Sequence, residues 1–289
     1  MKQEQKKQKL AGAEGFEQYY AQLFAERWPA LKAALQGENT PVSWTAGGAE
    51  PYFLDSASVR AAVSLPLSGA KRVLDLCAAP GGKTLVLSSC MDADASLLSN
   101  ERSSDRKNRL VKVCDSCLPS SVRERVTITC HDGAKMCLRQ KECFDAILLD
   151  APCSSERHVL ADPKYLSEWS PSRIRTLATA QWALLSSAWR MLSPGGFLLY
   201  STCALSTEEN DGVVSRLVHK FYDAEILPPL VSLDCSPFCS LGQDLLPDYE
   251  KTEWGAHILP DRSGGAGPLY FSLLKKKPQT DFFCDKPLD

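Results

Sequence analysis

Two cysteines stand where a thiol could do chemistry. FDAILLD (144–150), an apolar run that reads as a buried strand, passes directly into Asp150-Ala151-Pro152-Cys153-Ser154-Ser155. FLLYST (197–202) passes in the same way into Cys203-Ala204. If these strands are neighbours in one sheet, both thiols open onto the same crevice at its carboxyl edge. A thiolate there could act as a nucleophile. The competing reading is a pair of small buried hydrophobes, the common fate of a free cysteine. The residues alone leave both readings open.

A glycine-rich turn lies upstream. KRVLDL (71–76) reads as a short buried strand, and Cys77-Ala78-Ala79-Pro80-Gly81-Gly82-Lys83-Thr84 follows it. Small residues after a strand let backbone approach a ligand closely. A P-loop needs glycine five residues before Gly82, and that position is Cys77. The dinucleotide fingerprint G-x-G-x-x-G is absent. What remains is a nucleoside-bearing cofactor without phosphates to cradle, such as S-adenosylmethionine, or a bare structural turn. Acidic residues recur at the next strand ends: Glu101, Asp132 and Asp150. A carboxylate about 20 residues beyond such a turn can hold ribose hydroxyls. Each could be a helix cap or a loop residue, but their recurrence on successive strand ends favours the cofactor reading.

The elements that position these residues alternate. Residues 14–36 carry helical spacing, with Pro29 splitting it into two short helices. Residues 37–51 read as a loop and a soft boundary. Beyond residue 70, strands at 71–76, 95–100, 125–130, 144–150 and 197–202 are separated by helices. A charged helix is expected from about Ser103 to Cys114. The long helix 171–192 has Ser170 as N-cap and Pro171 in its first turn, with an apolar stripe that includes Ile174, Trp182, Leu185 and Trp189. AHILP (256–260) and GPLYFSLLKK (267–276) read as an antiparallel hairpin at the sheet edge. The expected fold class is therefore α/β: a Rossmann-like, mostly parallel sheet with an antiparallel hairpin and a small N-terminal helical segment.

Composition bounds the rest. The 289 residues are 44% apolar and 24% charged, which excludes a disordered chain or a fibrous rod. No run reaches the roughly 18 apolar residues of a membrane helix. The basic N-terminus lacks an apolar core, so no secretory signal is read. Twelve cysteines fall short of a disulfide scaffold, and a reducing, cytoplasmic setting is expected. Net charge is −2, so any phosphate contact must come from local patches such as Lys6, Lys7 and Lys9 or Arg102, Arg106, Lys107, Arg109 and Lys112. Cys114-x-x-Cys117 is expected on the surface of the charged helix. With CSPFC (235–239) as its sole candidate partner it makes a poor zinc site, and no metal is expected. Tyr165 and Trp169 are candidates for stacking on a nucleobase or for plain packing, and His158 for contact with RNA or a place facing solvent. Glu208, Glu209 and Asn210 read as helix capping.

Taken in order, LDLCAAPGGKT, NER followed by Arg106, HDG, LLDAPCSS and YSTCALSTEEN resemble the RsmB/NOP (Sun-type) family of RNA cytosine-5 methyltransferases. PYFLDSAS (51–58) is similar to that family's lead-in, and the resemblance covers roughly residues 51–275. It implies S-adenosylmethionine as cofactor, held by Cys77, Ala78, Ala79, Pro80, Gly81, Gly82 and Lys83. Glu101 would hold the ribose with Arg106 in the same set, Asp132 would sit at the adenine, and Asp150 would border cofactor and target base. Cys203 would be the nucleophile, Cys153 would help release the product, and Lys83 would lie near the cytosine.

Carbon 5 of cytosine is a poor nucleophile, and thiolate addition at carbon 6 makes it enamine-like. The alternative of a DNA cytosine-5 methyltransferase would use Cys153 as nucleophile and leave Cys203 without a task. The resemblance further implies a short family member without separate RNA-binding modules, acting on ribosomal RNA first and transfer RNA second. A catalytically silent RNA-binding relative is the third reading. An assembling ribosomal subunit or a helper protein is an expected partner, the chain itself being a monomer. The expected domains are 1–50, a tail and helical RNA-binding segment, and 51–289, the methyltransferase domain.

Overall fold

In the computed structural model, which describes residues 10–39, 41–48, 50–228 and 246–278, helix and strand alternate through most of the chain. Two helices come first, α1 (Gly12–Phe24) and α2 (Trp28–Gln36), with a 3-10 turn at Ala25–Arg27 between them. Pro29 sits in the first turn of α2, where its missing N–H costs no helical bond, so it starts the second helix. Then come β1 (Val42–Trp44), β2 (Tyr52–Leu54), α3 (Ser56–Val63), β3 (Arg72–Asp75), α4 (Gly82–Cys90), β4 (Ser96–Asn100), α5 (Ser104–Cys117) and α6 (Ser120–Arg123). They are followed by β5 (Val126–Thr129), β6 (Phe144–Asp150), α7 (Glu156–Ala161), α8 (Pro163–Ser167), α9 (Pro171–Met191) and β7 (Leu192–Thr202). The last elements are α10 (Asp211–Lys220), β8 (Ala224–Leu227), β9 (Glu250–Lys251), β10 (Ala256–Ile258) and β11 (Leu269–Lys276).

The main sheet runs β5-β4-β3-β6-β7-β11-β10-β9, with β8 also pairing β11. The first five strands are parallel. β11 lies antiparallel to β7, with Tyr270 opposite Thr202, and β10 antiparallel to β11, as the sequence leads one to expect. β6 is buried on both faces. Its Ala146 and Leu148 pack with α3, α4 and α5, while Ile147 and Leu149 pack with α9 and α10. Ile174, Trp182, Leu185, Ala188 and Trp189 bury the apolar stripe of α9. Each fully buried large side chain of this kind contributes roughly 1.5–3 kcal/mol. Ser170 stands at the N-cap of α9, but its hydroxyl pairs with that of Ser172 at 2.7 Å.

Three expectations change. The stretch 37–51 is not wholly loop: β1 pairs with β2 as an antiparallel ribbon that buries Trp44 and Leu54 and crosses position 50. Three-residue strands among Gly, Pro and Asn carry too little alternation to be read from sequence. Cys114 and Cys117 are not on the surface. Helix α5 runs on to Cys117, and both thiols are buried against the sheet. Cys90 is disulfide-bonded, whereas eight other cysteines, Cys153 and Cys203 among them, are free. CSPFC (235–239) lies outside the described residues, as do Lys6, Lys7 and Lys9. No helix among the described residues is long and apolar enough to cross a membrane.

Candidate active site

β3 and β6 are neighbours in the sheet, but the chain leaves them in opposite directions, towards β4 and towards β7. That divergence opens a crevice at their carboxyl ends, where Asp75 and Asp150 stand. The turn after β3 is pinned from outside. Ala78 donates its N–H to the Asn100 carbonyl at 2.9 Å, and Arg106 Nη2 donates to the Ala79 carbonyl at 2.6 Å. Gly81 has φ +127°, and a Cβ there would come 3.0 Å from Val113 Cγ1, so only glycine fits.

Glu101 is 4% exposed. Its Oε1 accepts from the Ser103 N–H at 2.9 Å. Its Oε2 has no hydrogen-bond partner, and Arg106 Nη1 stands 3.5 Å away. An orphaned buried carboxylate oxygen beside a backbone turn suits a ligand that brings hydroxyl groups.

The crevice has a volume of about 140 Å³. Of the expected residues, Cys77, Ala78, Ala79, Pro80, Gly82, Lys83 and Asp150 line it. Tyr52, Phe53, Leu54, Ser58 and Asp75 line it too and were not anticipated as site residues. Asp75 is fully buried. Its Oδ2 accepts from the Thr84 hydroxyl at 2.7 Å and its Oδ1 has no partner. Burial pushes its carboxyl up to about 7. Burial also raises the Cys77 thiol far above its ordinary range, which keeps it protonated and unreactive.

Lys83 Nζ donates to Asp150 Oδ2 at 2.7 Å and to Ser58 Oγ at 3.2 Å. Burial alone would lower the Lys83 pKa. The charge and hydrogen bond of Asp150 outweigh it and raise the value, so the ammonium persists. Asp150 Oδ1 accepts from the Ser201 hydroxyl at 2.8 Å, tying β6 to β7. The two thiols lie side by side, but neither is among the residues that line this crevice. Cys153 Sγ lies 2.7 Å from Cys203 Sγ and accepts from the Cys203 N–H at 3.3 Å. The Cys153 thiol is raised well above its ordinary range, first by its hydrogen bond to Cys203, then by burial and by the charges of Glu156 and Glu209.

Other candidates fall elsewhere. Asp132 caps a 3-10 turn, accepting from the Ala134 N–H at 3.2 Å, and borders a separate hollow with His131 and Lys135. Trp169 is buried among Phe16, Tyr19 and Tyr20. Tyr165 packs against His158 at the surface. Asn210 does not cap α10 through its side chain. Its Oδ1 accepts from Thr202 at 2.6 Å and its Nδ2 donates to Ala204 O at 2.9 Å, bracketing Cys203. Glu209 is buried and bonds to the Cys153 loop, and Glu156, unread from sequence, joins it. Among the described residues no group of His, Cys, Asp and Glu is arranged to hold a metal ion.

Ribosomal RNA small subunit methyltransferase F of Escherichia coli (strain K12) is 40% identical to this chain over 215 residues, 72% of this chain and 41% of its own length. The 5-cytosine rRNA methyltransferase NSUN4 of Mus musculus is 34% identical over 233 residues, 78% of this chain and 60% of its own length. The chain thus spans less than two thirds of the length of each of these two relatives. The crystal structure of a methyltransferase homolog protein from Pyrococcus horikoshii aligns with a TM-score of 0.67 at 20% identity, covering 92% of this chain and 96% of that one, a likeness of fold. The family described as 16S rRNA methyltransferase RsmB/F matches residues 62–253. That match takes in the glycine turn, both cysteines and every strand between them, and the chain therefore belongs to the RsmB/F methyltransferase family.

Proposed function

We infer that this chain methylates carbon 5 of cytosine in RNA, with S-adenosylmethionine as donor and Cys203 as nucleophile. The observation that carries this reading is the Cys153–Cys203 pair, 2.7 Å apart, at the end of the strand that Asp150 and Ser201 tie to the Lys83 crevice. Ribosomal RNA is the first substrate, in keeping with the names of both relatives. An assembling ribosomal subunit or a helper protein fits the same role, with a single copy of this chain. Both thiols are free, and a cytoplasmic setting is proposed.

The fit to the cofactor rests on the orphaned Glu101 oxygen, the glycine turn and the uncharged wall of Cys77, Ala78, Ala79 and Pro80. S-adenosylmethionine, when bound, supplies the methyl group. Glu101 and Arg106 would hold its ribose side, and residues Cys77–Lys83 would hold the rest. Asp132, at the next strand end, would mark the adenine side.

The remaining work belongs to the chain's own groups. Cys153 keeps its proton and can donate S–H to the Cys203 sulfur, which orients that sulfur. The Lys83 ammonium adds a positive field on the same side. The Cys203 thiolate adds to carbon 6 of the cytosine, and Asp150 holds the ring edge while charge develops there. After methylation, solvent water takes the carbon-5 proton, the C–H electron pair forms the C5–C6 double bond, and the C6–S bond breaks to release the Cys203 thiolate, which the Cys153 S–H stabilises. The target base must leave its stack to reach this crevice. Phe53, 62% exposed on the crevice rim, offers a flat face for a base, and the N-terminal helical segment would help hold RNA.

The test is transfer of label from methyl-tritiated S-adenosylmethionine to ribosomal RNA, ribosomal subunits, transfer RNA and DNA, followed by nucleoside chromatography. Label in 5-methylcytidine from RNA is expected. Label in DNA alone, or none while S-adenosylmethionine binds, contradicts the reading.

A further inference from the structure

The two cysteine loops are cross-braced by a pair of buried glutamates. Glu156 follows Cys153 by three residues, yet its Oε2 accepts from the Leu205 N–H, beyond Cys203, at 3.0 Å. Glu209 follows Cys203 by six residues, yet its Oε1 accepts from the Ser154 N–H, next to Cys153, at 2.9 Å. Each carboxylate thus belongs to one cysteine's loop and holds the backbone of the other's. Gln181 of α9 fixes the arrangement from outside, donating its one amide nitrogen to Pro152 O and Glu209 Oε1, each at 2.9 Å.

The inner oxygens of the pair converge on Ser154. Its hydroxyl touches Glu156 Oε1 and lies 2.5 Å from Glu209 Oε2. Tyr20 of α1 donates to Glu156 Oε1 at 2.5 Å, and Ser206 donates to Glu209 Oε2 at 2.9 Å. Four oxygen–oxygen contacts are made with three hydroxyl protons. A fourth proton is needed, and the carboxyl groups are the remaining places for it.

We propose that Glu156 and Glu209 share one proton across Ser154 and act as positioning residues that hold Cys153 and Cys203 at their working separation. Neither glutamate touches the reacting atoms; each acts through the loop it braces. Burial, with the charge of Glu209 second, pushes the Glu156 carboxyl up to about 7, in keeping with a held proton. The proposal rests on the two-cysteine reading above, and its test separates the two.

The variants are Glu156→Gln, Glu209→Gln and the double change. A single Gln keeps the outer oxygen for the backbone N–H and turns its NH2 towards Ser154, supplying the missing donor. In the double variant two NH2 groups face Ser154 and its own proton loses its acceptor. Each single variant should keep kcat within about threefold, and the double should lose about tenfold or more in kcat, with KM for RNA and S-adenosylmethionine affinity held.

Iodoacetamide labelling of Cys153 and Cys203, read by peptide mass spectrometry without RNA, should change in the double variant and hold in the singles. Should the double variant not fold, Ser154→Ala removes the shared hydroxyl and should show the same kcat-selective loss and altered labelling. Wild-type behaviour of the double variant or of Ser154→Ala overturns the proposal, as does a single Gln as damaging as both. If the wild type methylates no RNA, the function fails while the labelling pattern still decides this proposal.

Discussion

Lys83 Nζ and Asp150 Oδ2 meet at 2.7 Å across the carboxyl ends of β3 and β6, the one charge brought by the turn and the other by the neighbouring strand. Most of the Lys83 side chain is shielded, at 11% exposure, while Asp150 is more open at 31%. This pair links the crevice to the cysteines, because Asp150 also takes the Ser201 hydroxyl two residues before Cys203. Asp150→Asn keeps the shape and removes the charge. It should lower kcat by about 10²-fold and cost about 1–3 kcal/mol of stability. Steady-state kinetics with a thermal melt check both. A kcat within a few-fold of wild type would remove Asp150 from the chemistry.

Asp75 makes stability depend on pH. Its folded carboxyl titrates near 7, above the ordinary 3.8, because burial disfavours the charge. Folding therefore takes up a proton, and this contribution is full below about pH 4 and lost as pH rises towards 7. Asp75→Asn should flatten that part of the profile by roughly 2–4 kcal/mol relative to wild type. Urea melts between pH 4 and 8 test it, and parallel profiles would contradict the assignment.

Gly81→Ala forces a side chain into φ +127° and against Val113. A cost of about 1–3 kcal/mol is expected, with weakened S-adenosylmethionine binding. Calorimetric titration of the cofactor gives the second number. Unchanged affinity would mean the turn is structural.

Phe53→Ala should raise KM for RNA by about 5- to 100-fold, the worth of one base stack, with S-adenosylmethionine affinity unchanged. Phe53→Trp should restore it. An unaltered KM in Phe53→Ala would leave the exposed ring without a partner.

The sequence made the strand-end pattern legible because each feature is local. Buried strands read as apolar runs, and the residues that follow them, Cys77–Lys83, Cys153 and Cys203, must lie at the carboxyl edge. Asp75 escaped notice because a carboxylate one residue before a turn looks like any strand terminus; its burial is a tertiary fact. Tyr52 and Phe53 were hidden by a ribbon too short to show alternation. Glu156 begins α7 and Glu209 stands two residues before α10, places where an acid is ordinary, and only the fold brings residues 53 positions apart onto one serine. Asp132 stands after a strand, as its sequence position implies, and its side chain also caps the next turn, which the sequence does not show.

The division of labour between the thiols is the centre of this account, and the most direct measurement is a trapping experiment. Cys153→Ala, incubated with S-adenosylmethionine and substrate RNA, should accumulate a covalent protein–RNA adduct that survives denaturing electrophoresis, and peptide mapping should place the link on Cys203. Cys203→Ala should form no adduct and no 5-methylcytidine while still binding S-adenosylmethionine. An adduct mapped to another residue, or methylation by Cys203→Ala, would contradict the account.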